Sequence, residues 1–385
     1  MTDADANASV QIYRGMAGLE QLRVSWQTLA RRVPDKRFFH LYEWHRCYLD
    51  ALEKDQDAAY FLAYLNGGEL EAVCPLFLRT RKYCGLRVSC LETATHSHIS
   101  LNDILCVKKD GAPDYVRAFV QFLSSQTEIR WDIVDFSRVL QDSRVYLSLH
   151  TGWHAASIIR AVDQCDYLPL GDYDSFLEKI SDNFRNSLRK ARNKLNSYPE
   201  VKFIASREAP DLQSSFLKFL ELEASGWKGA SGTNSAINQN AQLRQFYECL
   251  LQDGFCEVGL LLVSDVPIAG TFSIHLGDTY YILKIAYNEA YSRAAPGNML
   301  LERLMQHYSA SEDVRTINLV SGAEWHRRWK PQQLEVFDCR LFNRSLNGLL
   351  VFACFKSKLL IRPVYQSLRR LLMRDSTADS ATGNA

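Results

Sequence analysis

The sequence predicts an α/β protein of two domains, built on mixed, mostly antiparallel sheets flanked by helices. Three observations carry this expectation. The chain has 385 residues, more than one ordinary core holds. Apolar residues make up 47%, enough to fill two cores. A hairpin, a helix and a strand also occur twice in the same order. The domains are expected over residues 10–168 and 169–374, with residues 375–385 as a disordered tail.

In the first half, "AAYFLAYL" reads as a strand, "NGGE" as a tight turn and "LEAVCPLFLRT" as the returning strand. "DYVRAFVQFLSS" has helical periodicity and leads into the apolar strand "WDIVDFS". "LPLGDYD", near residues 165–172, breaks the pattern and marks the boundary. In the second half, "EVGLLLVS", the turn "DVP" and "IAGTFSIHL" form a hairpin, and "TYYILKIAY" adds a third strand. The helix "GNMLLERLMQHYS" and the strand "RTINLVSG" follow. Both ends of the chain are small and polar, which predicts disorder.

Charge and composition bound the partners. Lys and Arg number 45 against 44 Asp and Glu, so any basic site must be local and nucleic acid is not an expected partner of the whole surface. Ten cysteines without a CxxC pair or metal-type spacing read as structural thiols of a reducing compartment. "MTDADANASVQIYRG" has no signal-peptide pattern, and the longest apolar run, "GLLVFACF", is too short to span a bilayer. A cytoplasmic protein is expected.

Two stretches invite a chemical reading. "DNFRNSLRKARNKL", residues 182–195, reads as a helix capped by Asp182, with Phe184, Leu188, Ala191 and Leu195 on one stripe. Arg185, Arg189 and Arg192 flank the stripe on one side, Lys190 and Lys194 on the other. This is either a solvated amphipathic helix or an anion site, since guanidinium forks match phosphate oxygens. "YNEAYSRAAPGNMLLERLM" places Pro296, Gly297 and Asn298 at a helix start, where free N–H groups and the helix dipole favour a phosphate. Arg293 lies one loop away. The bland alternative is an ordinary strand-to-helix turn.

These stretches, with "WKGASGTNSAI" (227–237), "AYNEAYSRAAPGNMLL" (286–301) and "NLVSGAEWHRRWKP" (318–331), resemble GNAT-fold acyltransferases of the CelD type. That family is associated with cellulose and exopolysaccharide synthesis. "FFHLYEWHRCYLDAL" and "LEAVCPLFLRTRKYCGLRV" extend the resemblance into the first half. It implies tandem GNAT-like domains, distantly related to the FemABX peptidyltransferases. It further implies an acyl-CoA co-substrate, no metal, and an amine or hydroxyl of a sugar or lipid-linked saccharide as acceptor. The donor's pyrophosphate would sit at Ala295, Pro296, Gly297 and Asn298. The family's loop carries Arg or Gln, two residues, Gly, one residue, then Gly or Ala. Here the glycine after Arg293 is shifted by one and the second small residue is missing. The first half, with Asp110 and Asp114 before its helix, is expected to be a degenerate copy.

Direct transfer from a thioester needs a base and a proton donor for the leaving thiolate. His275 shares a strand face with Thr271 and Ser273 and is the expected base; Tyr287, just before the loop, is the expected acid. Lys284 and Tyr280 are expected along the cleft. Trp227, Lys228, Glu324 and Lys330 are expected near the acceptor, together with Arg185 and Arg189 of the basic helix. Each also has a structural reading, as core aromatic or rim charge. His96 and His98 near Asp103 lack the fixed spacing of a metal site. The end, "FKSKLLIRPVYQSLRRLLMR", reads either as a packed basic helix or as a peripheral contact with an anionic inner membrane or a polysaccharide synthase. Two further functions stay open: a FemABX-like aminoacyl-tRNA-dependent transferase, and a non-catalytic member of a synthesis complex.

Overall fold

A computed structural model describes residues 8–226, 235–311 and 313–358. The first half contains β1 (Ala8–Arg14), α1 (Gly15–Arg32), α2 (Tyr42–Ala51), β2 (Ala59–Asn66), β3 (Glu69–Tyr83) and β4 (Leu86–Glu92). It continues with β5 (Leu105–Cys106), α3 (Tyr115–Ser125), β6 (Ile133–Leu140), α4 (Arg144–His150) and β7 (Ser157–Pro169). The second half opens with α5 (Tyr173–Lys179), α6 (Asp182–Leu195), β8 (Val201–Ser206), α7 (Asp211–Ser225) and α8 (Ala241–Leu251). Then come β9 (Cys256–Val263), β10 (Val266–Leu276), β11 (Thr279–Tyr287), α9 (Pro296–Ser309), β12 (Thr316–Asn318) and β13 (Gln332–Phe342). A last helix, α10, covers residues 346–358.

The strands form one sheet in the order β1-β2-β3-β4-β6-β13-β7-β12-β11-β10-β9-β8, with β5 paired to β3. The same wiring occurs in both halves. An antiparallel meander, β2-β3-β4 or β9-β10-β11, is followed by a helix and a strand parallel to the meander's last member. These parallel pairs are β4 with β6 and β11 with β12. The halves then exchange strands: β7 pairs with β12, and β13 sits between β6 and β7. The expectation of a sheet for each half is thereby corrected to one continuous sheet. The exchange joins strands distant in sequence, which local periodicity does not reveal.

The hairpin turns follow their residues. Gly67 and Gly68 take φ of 58° and 84°, and Ser264 and Asp265 take 48° and 64°, the positive values a two-residue hairpin requires. In β9, Val258, Leu260 and Leu262 face the α7–α8 core, while Leu261 and Val263 face the α6–α9 core. Burial on both faces explains its unbroken apolar run. The helix over 182–195 forms as expected, but Ser181 is its cap, accepting from the Phe184 N–H, and Asp182 is its first residue.

The halves also meet through α2 and α8. Trp44 packs edge-on to Phe246 at 5.2 Å, and Arg46 pairs with Asp253 at 3.1 Å. Beside them Cys47 and Cys249 form a disulfide across 202 residues, with Cα atoms 5.6 Å apart. This corrects the reading of all ten cysteines as thiols; the tertiary contact of α2 with α8 creates the pair. No helix among the described residues is long and apolar enough to cross a membrane.

Candidate functional site

The site begins where two parallel strands part. β11 and β12 pair only at Thr279 with Thr316, Tyr280 with Ile317 and Tyr281 with Asn318. Beyond Tyr281 no strand pairs with that edge of β11 among the described residues. The Asn318 side chain accepts from the Val320 N–H at 2.8 Å, and Val320 sits at φ of 49°. A β-branched residue rarely adopts that conformation, and the turn carries the chain away from β11. On the other edge the register with β10 shifts, leaving Leu283 without an opposite residue.

The start of α9 stands at this opening. Ala295 is left-handed at φ 43°, Pro296 begins the helix, and the Met299 N–H bonds back to the Ala295 carbonyl. Pro296 has no N–H, so Gly297 and Asn298 supply the free donors of the first turn. Ile285, Tyr287, Ser292, Ala295, Pro296, Gly297, Asn298 and Trp325 line a cavity of about 330 Å³ there. Its walls are largely apolar, with the two N–H groups at one end.

A short helical turn, Glu324–Trp329, forms the far wall. Its His326 is buried and its Nδ1 lies 2.8 Å from Asp166 Oδ2 on β7; Gln333 donates to Asp166 Oδ1 at 2.7 Å. Burial holds the His326 pKa below its ordinary value despite the carboxylate. Trp329 Nε1 donates to Asn298 Oδ1 at 3.3 Å, and its ring meets Phe184 of α6 edge-on at 5.1 Å. The turn is therefore fixed from three sides and presents Trp325, 38% exposed, to the cavity.

Of the residues expected from sequence, Tyr287, Ala295, Pro296, Gly297 and Asn298 come together here. Arg293 lies on the adjoining turn, Glu289–Ala294, and is exposed. Lys284 is opposite Phe272 in the β10–β11 register, which puts it on the α7–α8 face rather than in the cavity. There it approaches the first half: burial of His96, and then the Lys284 charge, lower the His96 pKa. Glu324 and Lys330 flank the Trp325 turn, both exposed, with no ion pair between them. Trp227 and Lys228 lie outside the described residues; a Cβ on the preceding Gly226 would stand 3.6 Å from the Tyr287 carbonyl oxygen.

The basic helix α6 divides differently from expectation. Arg185 pairs with Asp182 and donates to the Leu177 carbonyl of α5 at 3.3 Å. Arg192 binds Glu302, which also accepts from Tyr173 of α5. The arginine edge, with Arg189 on it, thus faces α5. The other edge faces the cavity walls: Ser187 accepts from Arg328 at 3.4 Å, and Lys194 lies over Tyr198, which packs on Tyr291.

His275 is not brought to Tyr287. It pairs in register with Tyr280, seven residues before Tyr287 on β11, roughly 20 Å along the strand. Thr271, Ser273 and His275 do share a face, but that face is buried. It packs with Glu257, Tyr280 and Tyr308, where Tyr308 donates to Glu257 at 2.5 Å. Burial and Arg207 lower the His275 pKa. Tyr280 is fully buried and lines no cleft. His98 Nδ1 lies 2.9 Å from the Tyr247 hydroxyl, and no group of three or more metal-ligating side chains occurs among the described residues.

Sequence reasoning missed Asp166, His326 and Asn318, which shape the opening and its wall. Trp325 and His326 stood in a stretch already singled out, but Asp166 is 160 residues away and its role exists only once β7 lies beside β12.

The family model for an acetyltransferase (GNAT) domain matches residues 182–330. A comparison with curated proteins finds no match. Among solved structures the chain is similar to FemX, with a TM-score of 0.54 at 11% identity over 82% of this chain and 95% of that one. It is also similar to the C-terminal domain of a putative lysylphosphatidylglycerol synthetase from Agrobacterium fabrum, with a TM-score of 0.52 at 10% identity over 89% and 97%. L-PGS from Bacillus licheniformis gives 0.50 at 12% identity over 87% and 95%. Residues 182–330 are thus similar to a GNAT acetyltransferase domain, and the chain has a fold like that of FemX.

Proposed function

We propose that the opening between β11 and β12 is the site of an acyltransferase that passes an acyl group directly from an activated carrier to an amine or hydroxyl. The observation supporting it is the parting of the parallel pair with the α9 start at its mouth. A carrier laid along β11 would meet its unpaired backbone edge and set a phosphate against the Gly297 and Asn298 N–H groups. The acceptor's nitrogen or oxygen attacks the acyl carbon and gives up its proton to solvent water, from which the Tyr287 phenolate is reprotonated after the carrier departs. The bond to the carrier breaks, and the departing oxygen or sulfur takes a proton from the Tyr287 hydroxyl. Lys284, Trp227 and Lys228 are proposed on the acceptor side, Glu324 and Lys330 at the rim. His275 has no part in this proposal, because the register puts it at the other end of β11.

The donor that best suits the whole architecture is an aminoacyl ester on tRNA, as in FemABX-like transferases. The similarity to FemX extends over most of both chains. Exposed Arg293 lies on the turn before α9, and exposed Arg327 and Arg328 on the turn that forms the cavity's far wall, giving a local basic rim. The second reading is the CelD-type one: acyl-CoA as donor and an exopolysaccharide or cellulose precursor as acceptor, in the cytoplasm. The acetyltransferase match over residues 182–330 favours it. In both, residues 10–168 are a degenerate copy of residues 169–374. The Asp114 carboxylate supports this, because it caps α3 by accepting from the Arg117 N–H at 3.0 Å, where a donor phosphate would otherwise sit.

The test is binding by the purified chain. Calorimetry with acetyl-CoA, a long-chain acyl-CoA and free coenzyme A is set beside filter binding of aminoacylated tRNA at two salt concentrations. Saturable tRNA binding that weakens steeply with salt supports the first donor. Coenzyme A binding without tRNA binding supports the second. Binding of neither defeats the donor-site assignment.

A further inference from the structure

The end of the described chain carries a surface that acyl transfer does not use. α10 packs on β3 and β13 through one face: Val351 is buried, Phe352 and Phe355 lie 5.2 and 5.7 Å from Phe342, and Phe355 meets Tyr83 at 5.3 Å. At about 100° per residue, Leu346, Leu349, Leu350 and Ala353 fall on the opposite face. Leu346 is 76%, Leu349 45% and Leu350 46% exposed, and they stand within a single turn and a half. An exposed apolar stripe of this kind marks an interaction surface.

The charge around the stripe says what would cover it. From Arg344 to Arg374 the sequence has seven basic residues and no acidic one. The rest of the chain is left with 38 basic and 44 acidic side chains, so a net acidic body carries a strongly basic end. Within the described part, Arg344, Lys356 and Lys358 are exposed and form no ion pair. Apolar side chains flanked by unpaired cations suit the headgroup boundary of an anionic bilayer, which takes the leucines into its acyl edge and the cations among its phosphates. A polyanion such as RNA would use the charges but leave the leucines in water.

We infer that the outward face of α10, with Arg344, Lys356 and Lys358 beside it, docks the protein peripherally on an anionic lipid surface. This inference stands apart from the choice of acyl donor, since no residue of the β11–β12 opening takes part.

The experiment is sedimentation of the full chain with vesicles of phosphatidylcholine alone and of phosphatidylcholine with phosphatidylglycerol, at low and high salt. The wild type is expected to bind only the anionic vesicles. Raised salt should weaken binding without abolishing it, because the leucine contact is not screened. The variant Leu346→Ser/Leu349→Ser/Leu350→Ser changes only exposed positions and should keep the wild-type melting temperature. It should lose at least tenfold in partitioning, with the residue of binding vanishing at high salt. Lys356→Glu/Lys358→Glu should lose roughly fivefold or more for each cation removed. Three results would overturn the inference: no binding to anionic vesicles, binding indifferent to the leucine substitutions, or a dimer in solution that the leucine variant dissociates while vesicles stay unbound. Tight binding to a generic RNA that the leucine variant retains in full, without vesicle binding, would assign the basic end to nucleic acid instead.

Discussion

Placing a carboxylate at Gly297 separates the donor site from the fold. Gly297 is the second residue of α9, and a Cβ built there meets Tyr287 Cδ1 at 3.6 Å and Ile285 Cδ1 at 4.0 Å. Both are ordinary contacts, so Gly297→Ala fits and should change donor affinity by about twofold at most. Gly297→Glu sends a charged side chain into a cavity of about 330 Å³, toward the N–H groups proposed for a phosphate. At a separation of about 5 Å and an effective dielectric constant of 20–40, the repulsion between carboxylate and phosphate is roughly 2–3 kcal/mol. That corresponds to roughly 30- to 150-fold weaker binding. The same carboxylate lies in the first helical turn, where the dipole stabilises it by about 0.3–1 kcal/mol. Thermal unfolding should therefore stay level or rise slightly while affinity collapses. Calorimetric titration of whichever donor binds the wild type, with a melting curve for each variant, reads both effects. Wild-type affinity in Gly297→Glu, or equal losses in the Ala and Glu variants, would refute the placement of a phosphate at the α9 start.

Other outcomes follow from buried groups. Glu302, 2% exposed at its side chain, accepts from Tyr173 and Arg192 at 2.6 Å each and so ties α5 and α6 to α9. Glu302→Ala should cost about 2–3 kcal/mol in urea unfolding, the estimate being reduced because Arg192 is 36% exposed; a loss below about 0.5 kcal/mol would show the tie to be idle. His45 is fully buried, its Nε2 donating to the Phe39 carbonyl at 3.0 Å, and burial pushes its pKa from 6.5 down to about 4. The unfolded chain takes up this proton first, so stability present above pH 6.5 should fall by about 3 kcal/mol as pH drops toward 4. Urea unfolding across that range should show a shallower fall in His45→Gln, and an unchanged slope would contradict the assignment. Unfolded without reductant, the chain should titrate eight thiols, and ten after reduction, if Cys47 and Cys249 are joined; ten in both conditions would show the pair to be open.

The sequence alone placed the β2–β3 hairpin, the β9–β10–β11 meander and the helices α3, α6 and α9, whose patterns are local. Asn66-Gly67-Gly68 turned one hairpin, the stripe of Phe184, Leu188, Ala191 and Leu195 set the buried face of α6, and the Pro296-Gly297 start of α9 marked the cavity end. Periodicity and turn chemistry act over a few residues, so they can be read without knowing the partners. What the sequence could not decide were meetings between distant segments. The exchange of β7 and β13, the disulfide of Cys47 with Cys249, and the grip of Asp166 on His326 each join groups more than 150 residues apart or depend on such a joining. The same limit explains His275. Its alternation with Thr271 and Ser273 showed a shared polar face, but only the register with β11 showed that the face is buried beneath α9, at the end of the strand away from Tyr287. A strand's pattern says which residues point together; the elements packed against it decide whether they meet a core or a cleft.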